Sequence, residues 1–423
     1  MKTRNLLIIN VFVLLSIACS SGYAQTISEW RGLGRTGVYN ESGLLKVWPE
    51  NGPQLMWSNE NLPQGYSSMS VANGIVYLTG IKDSMDVLVA FDMIGNIKWQ
   101  TPYGHTWVGS FPESRSTPTV EGDRVYVTSG LGYIACLNAI YGQVIWQVNG
   151  YKKFGGRFGS WGYTESPLIV DNKVIFTPCG ENTTIVALDK NTGETIWQSK
   201  SMKDTVAYVS PLLVKEGEKN LIITITGTYL LVVDADNGEI LSSSNYAGLK
   251  NEKSIKAWPG APYTNTNTPI YKDHKIYITG GYDHVGAMYS LSNDFKTLTL
   301  NWTDETLDVH HGGVVLVDGY LYGSNWINNK IGKWCCIDWN TGKTMYEKDW
   351  KTKGSIIAND GLLYCYEEKT GYIALVKATP EDFAIVSSFQ VQYGKGPCWS
   401  HPAISNGVLY LRHGSALMAY KIK

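Results

Sequence analysis

One phrase recurs along the chain: a short apolar run, a turn, a second run ending on an aromatic or apolar anchor, a small-residue segment closing on Asp or Asn, then Gly-x-x-x-Trp. The fullest copy reads Ser166-Pro167-Leu168-Ile169-Val170-Asp171-Asn172-Lys173-Val174-Ile175-Phe176 and resumes as Ile185-Val186-Ala187-Leu188-Asp189-Lys190-Asn191-Thr192-Gly193-Glu194-Thr195-Ile196-Trp197. The anchor falls at Tyr77, Tyr126, Phe176, Ile223, Tyr277, Tyr322, Tyr364 and Tyr410. That spacing averages about 48 residues, which suits a four-stranded unit and is long for a helical pair. The turn-and-tryptophan half returns as Gly95 with Trp99, Gly142 with Trp146 and Gly193 with Trp197, and in reduced form as Gly238 with Ser242 and Gly342 with Tyr346. Asp92, Asn138, Asp189, Asp234 or Asp338 stands before each.

The apolar runs are short, rich in Val, Ile and Tyr, and separated by Asn-Gly, Asp-Gly or Thr-Gly, the pattern of strands joined by hairpins. Eight such blades laid flat would leave two open edges, so radial closure is the economical arrangement. The reading is all-β: an eight-bladed β-propeller of four-stranded antiparallel blades. The last copy, from Pro402 onward, lacks its own Gly-x-x-x-Trp strand, whereas Gly52-Pro53-Gln54-Leu55-Met56-Trp57 supplies one at the other end. Residues near Leu55 and Trp57 are therefore expected to close the ring as the outermost strand of the last blade.

At 423 residues the chain is long for one core, but repeat architectures grow by adding units, so 25–423 is expected to be a single propeller domain. Lys and Arg total 36 against 37 for Asp and Glu, which leaves no field to attract nucleic acid. Residues 1–24 read as a signal peptide: a basic start at Lys2 and Arg4, an apolar run too short to span a bilayer, and small residues before Gln25. A rival cut at Cys19, where Ile17-Ala18-Cys19 half resembles a lipoprotein box, keeps a lipid anchor open. Either route exports the protein, to the periplasm or the outer membrane, and no later segment is apolar enough to cross a bilayer. Six cysteines remain beyond the signal; Cys335 and Cys336 take the repeat positions of Val186 and Ala187, which reads as packed strand residues.

The phrase from Leu188 to Trp197 resembles the repeat of the pyrroloquinoline quinone (PQQ) type propellers, a superfamily that includes quinoprotein alcohol dehydrogenases and the BamB-type outer-membrane assembly lipoproteins. Glu29-Trp30-Arg31-Gly32, with Gly43-Leu44-Leu45 and Trp48-Pro49, also resembles a set of exported bacterial repeat proteins. The resemblance covers nearly all of 25–423. It implies the fold and an envelope setting, and through BamB an envelope partner. Quinoprotein dehydrogenases are similar in blade number but longer, with loops that build a cofactor chamber, carboxylate and amide oxygens around Ca²⁺, an aspartate base and a tryptophan floor. No segment here carries that pattern in family order, so neither PQQ nor Ca²⁺ nor another metal is expected.

In a propeller the segment entering each innermost strand converges on the axis, where a rigid frame presents variable loops. Registered on the anchors, these positions include Ser67, Ser68, Arg115, Ser116, Thr164, Glu165, Tyr208, Val209, Thr266, Asn267, His311, Gly312, Gly354, Trp399 and Ser400. Three patches stand out: Tyr103 to Arg115, Phe154 to Glu165, and His310-His311-Gly312-Gly313 joined to Trp399-Ser400-His401. The candidate ligand-binding residues of the funnel mouth are His105, Arg115, Arg157, Tyr163, Glu165, Asn267, His310, His311, Trp399 and His401. Aromatics interleaved with polar groups suit a glycan or peptide. His310 and His311, if extended, should point to opposite faces, so that one faces the site. Two functions stay open: a non-catalytic, monomeric envelope scaffold that recognises a protein or glycan, and an exported enzyme, namely a polysaccharide lyase or hydrolase or a PQQ-dependent dehydrogenase.

Overall fold

The computed structural model describes residues 27–109, 111–112, 114–249 and 265–423; the signal-peptide reading lies outside them. It is an eight-bladed β-propeller. Each blade is a meander whose first strand is innermost, as in Leu168–Val170, Lys173–Phe176, Val186–Asp189 and Thr195–Gln198 of the third blade. The eighth blade holds Ala403–Ser405, Val408–His413 and Ala416–Lys421, and its outer strand is Gln54–Asn59. Leu55 pairs with Tyr420 and Trp57 with Ala419, so the ring closes where expected.

Tertiary contacts give the repeat its physical meaning. Trp99 of the first blade donates its indole N–H to the Ile140 carbonyl of the second at 2.9 Å, and its ring lies against Gly142, where a Cβ would come within 2.6 Å of it. Trp57, Trp146, Trp197 and Trp302 repeat the contact with Gly95, Gly193, Gly238 and Gly342 of the following blade. Those glycines also hold φ near +70 to +90°, a region that only glycine enters freely. Ser242 stands where the fourth blade's tryptophan would be, and the fifth blade's turn has Phe295 with φ 63° where others have glycine. The Asp or Asn before each turn accepts backbone N–H groups, as Asp189 does from Asn191 and Thr192 at 2.8 and 3.0 Å.

Eight apolar clusters form between neighbouring blades, and the anchors Tyr77, Tyr126, Phe176, Ile223, Tyr277, Tyr322, Tyr364 and Tyr410 are buried in them. Cys335 and Cys336 are free thiols that enter different clusters on the two faces of their strand, Trp334–Asp338. No helix among the described residues is long and apolar enough to cross a membrane.

The segment before the closing strand runs through the axis. Ile27–Ser28 adds antiparallel to the innermost strand of the second blade, and Val38–Tyr39 adds parallel to that of the seventh. Between them the Arg35 guanidinium donates to the carbonyls of Ser166, Pro167 and Pro211 at 3.0, 2.6 and 3.0 Å and meets Glu29 at 2.8 Å. Arg31 donates to the Val314 carbonyl at 2.6 Å. These bonds reach the second, third, fourth, sixth and seventh blades and seal the channel.

Candidate functional site

Above this seal lies a blind cup of about 350 Å³. Its walls carry Tyr66, Phe111, Trp161, Tyr208, Tyr282 and Trp399, and Trp30 of the sealing segment also faces it. Trp399 is the hub. Its ring centroid lies 4.6 Å from Tyr66, 5.6 Å from Phe111 and 5.2 Å from His311. Trp161 meets Tyr208 edge-on at 5.3 Å, and Trp30 meets His401 at 5.2 Å with the Arg31 guanidinium over its ring at 5.6 Å.

A belt of hydroxyls runs along part of the wall, one from each of the first four blades. The backbone N–H of His401 donates to Ser68 Oγ at 2.9 Å, Ser68 to Thr117 Oγ1 at 3.0 Å, Thr117 to Ser166 Oγ at 3.0 Å, and Ser166 to Ser210 Oγ at 3.0 Å. Pro118, Pro167 and Pro211 follow three of these residues and hold the preceding backbone extended, so each hydroxyl recurs at the same place in its blade.

The ionisable groups are tied to one another. Lys353 pairs with the Glu368 carboxylate and donates to the Asn329 carbonyl at 3.1 Å. The other Glu368 oxygen lies 3.5 Å from His311 Nε2. Burial raises the Glu368 pKa, opposed by Lys353 and by the Trp399 indole N–H. Desolvation within the cup, reinforced by the Lys353 charge, holds the His310 pKa down to about 3, and desolvation likewise holds His311 and His401 well below the usual imidazole range. All three imidazoles are therefore neutral at pH 7. His401 Nε2 donates to the His311 carbonyl at 3.0 Å, which leaves Nδ1 as a bare acceptor.

Arg115, His310, His311, Trp399 and His401 of the expected residues line the cup. The other five stand elsewhere. His105 is exposed at the end of the outer strand Ile97–His105, against Tyr133. Arg157 pairs with Glu181 outside the cup, and Tyr163 is core, donating to the Pro178 carbonyl at 3.0 Å. Asn267 clamps two blades, donating to the Val309 and His310 carbonyls at 2.7 and 2.8 Å. Glu165 is buried at the entry to the third blade, where it accepts from the Thr177 N–H at 3.2 Å. His310 and His311 correct the expectation that only one faces the site: their segment is not a strand, and the two rings lie side by side at 4.3 Å, both on the wall. Trp30, Tyr66, Phe111, Tyr282, Lys353 and Glu368 were missed as wall residues. Lys353 precedes a registered position, Gly354, by one residue, but nothing in the local pattern marks Trp30 as part of the cup.

Glu165 carries a pH dependence of stability. Burial pushes its pKa up to about 8, against the pull of Thr177 and the Arg35 charge. Between about pH 4.5 and 8 the folded protein therefore keeps a proton that the unfolded chain releases, so this group lowers stability as pH rises, by up to about 1.4 kcal/mol per unit. Glu165→Gln is expected to gain stability relative to the native chain across that window, with the difference levelling off above about pH 8. Urea midpoints at pH 5, 7 and 9 check it, and a constant difference would refute it.

Fold and cup together define a propeller of the quinoprotein-repeat class with a sealed axis. The profile of the family described as outer membrane protein assembly factor BamB matches residues 34–147 and 84–348, and the chain belongs to that family. BamB of Moranella endobia (strain PCIT) is 25% identical over 222 residues, 50% of this chain; the chain spans about half the length of that relative, 52%. The structure of BamB from Moraxella catarrhalis superposes with a TM-score of 0.60 at 15% identity, covering 87% of this chain and 99% of that one. Quinohemoprotein alcohol dehydrogenase from Comamonas testosteroni gives 0.64 at 14% identity, covering 92% and 79%. At these identities the structural likenesses show the fold alone.

The dehydrogenase likeness raises the question of PQQ with a hard cation. Glu368 is the one carboxylate on the described wall, and it is engaged by Lys353. No group of three or more His, Cys, Asp or Glu among the described residues could hold a metal ion. A cation that wants six or more converging oxygens does not fit this donor set.

Proposed function

We propose that this protein is a non-catalytic recognition propeller of the cell envelope, exported by its N-terminal signal and offering the cup to a protein or glycan. One observation carries the reading: the axial segment, pinned by Arg31 and Arg35, turns an open funnel into a blind, aromatic-walled cup. Family membership supports an envelope setting and an envelope partner. The wall supports recognition: Tyr66, Phe111, Trp161, Tyr208, Tyr282 and Trp399 offer aromatic contact area, and the one carboxylate among the described wall residues is engaged by Lys353.

A second reading, an exported lyase or hydrolase, draws on the His311–Glu368 approach, which resembles an oriented base. The two separate by product analysis. Recognition predicts saturable binding of an intact ligand; new reducing ends or ultraviolet-absorbing unsaturated products, lost in His311→Ala, would establish the enzyme.

A further inference from the structure

Resting on the recognition reading, we infer that the cup is a carbohydrate site and that its ligand is a neutral sugar unit bound between the aromatic walls. Three independent features converge on that chemistry.

The first is shape. Trp399 and Trp161 stand on a cup whose volume lies near the lower end for small-ligand sites, each steadied by further rings. A pyranose has a flat C–H face that packs on an indole and a rim of hydroxyls that does not. Rigid aromatic platforms carry contact area at little entropic cost.

The second is the hydroxyl belt. Ser68, Thr117, Ser166 and Ser210 each spend a lone pair on a neighbouring blade's N–H, and none donates its own hydroxyl hydrogen to an acceptor among the described residues. Polar groups left over at a wall call for a ligand that both donates and accepts, as a polyol does.

The third is charge and backbone. The Lys353–Glu368 pair cancels, the imidazoles are neutral, and the Arg115 guanidinium donates to the Trp161 and Phe111 carbonyls. A polyanion finds no concentrated positive field here. One recurring way to bind a peptide is to add it as a strand to a free edge, and at the axis the inner edges of the second and seventh blades are already taken by Ile27–Ser28 and Val38–Tyr39.

The test is a titration of the full-length exported protein, followed by tryptophan fluorescence and calorimetry, with neutral gluco-, manno- and xylo-oligosaccharides, uronate oligosaccharides and an acidic peptide. Saturable binding of a neutral oligosaccharide is expected, with affinity falling at least about tenfold in Trp399→Ala and unchanged in Trp146→Phe, whose ring lies between blades. If Trp399→Ala melts early, Trp161→Ala replaces it. Binding confined to uronates or to the peptide and weakened by salt would overturn the neutral-sugar assignment. Failure of every glycan would overturn the carbohydrate site while leaving recognition of a protein standing. Cleavage of a bound glycan would overturn the non-catalytic reading and leave the site standing.

Discussion

Arg35→Ala is expected to remove about 3–5 kcal/mol of stability and to unseat the axial segment. Its guanidinium is fully buried, 2.8 Å from Glu29, and donates to three carbonyls on the third and fourth blades. Alanine leaves the Glu29 carboxylate without its cation and the Ser166, Pro167 and Pro211 carbonyls without this donor. The cost of an unmade buried hydrogen bond exceeds the net gain of making one, so the loss should be large for a single side chain. Arg35→Lys keeps the charge but cannot fork to three acceptors, and should recover only part. Urea unfolding measures the loss. The tryptophan-fluorescence difference between the native chain and Trp30→Phe, repeated in the Arg35→Ala background, reports the seal, because that ring faces the cup and lies on the segment. An unchanged urea midpoint in Arg35→Ala would mean that strand pairing alone holds the segment.

A chain that starts at Glu60 is expected to lose cooperative folding. Without Gln54–Asn59, the strand Ala416–Lys421 becomes an open edge, and an unpaired edge invites association. The same cut removes Trp57, whose indole N–H donates to the Met93 carbonyl at 2.8 Å and whose ring covers Gly95, so the seam between the eighth and first blades opens. It also removes Arg31 and Arg35. In a ring each blade is held from two sides, and breaking one seam weakens the neighbours that depended on it. Size-exclusion chromatography should show aggregates, and thermal unfolding should broaden and shift down by tens of degrees. A monomer with a sharp transition near that of the full chain would show that the ring does not need its closing strand.

Both expectations rest on the two ways in which the chain encodes its structure. Blade count, blade boundaries and ring closure were readable from the order of residues. Each depends on contacts that repeat with the period of the chain, such as Asp189 turning its own backbone and Gly142 making room for Trp99. The entry positions of the cup were readable to within a residue or two for the same reason: Thr117, Ser166 and Ser210 precede prolines in register.

What a side chain does at those positions was not readable. Glu165 and Trp161 are four residues apart, yet one is buried with its carboxyl pKa raised to about 8 and the other faces the cup. His105 and Arg157 had suitable chemistry but lie outside the cup, and Glu368 lies on its wall although no register marked it. The amino-acid order by itself determined the propeller, its eight blades and its closing strand, because those follow from interactions between neighbours in a periodic array. Only the tertiary structure decided that the funnel is a sealed cup with Trp30 facing it and a Lys353–Glu368–His311 cluster on its wall, because Trp30 meets walls hundreds of positions away, and side chains of neighbouring blades meet one another, only once the ring has closed and the axial segment is seated.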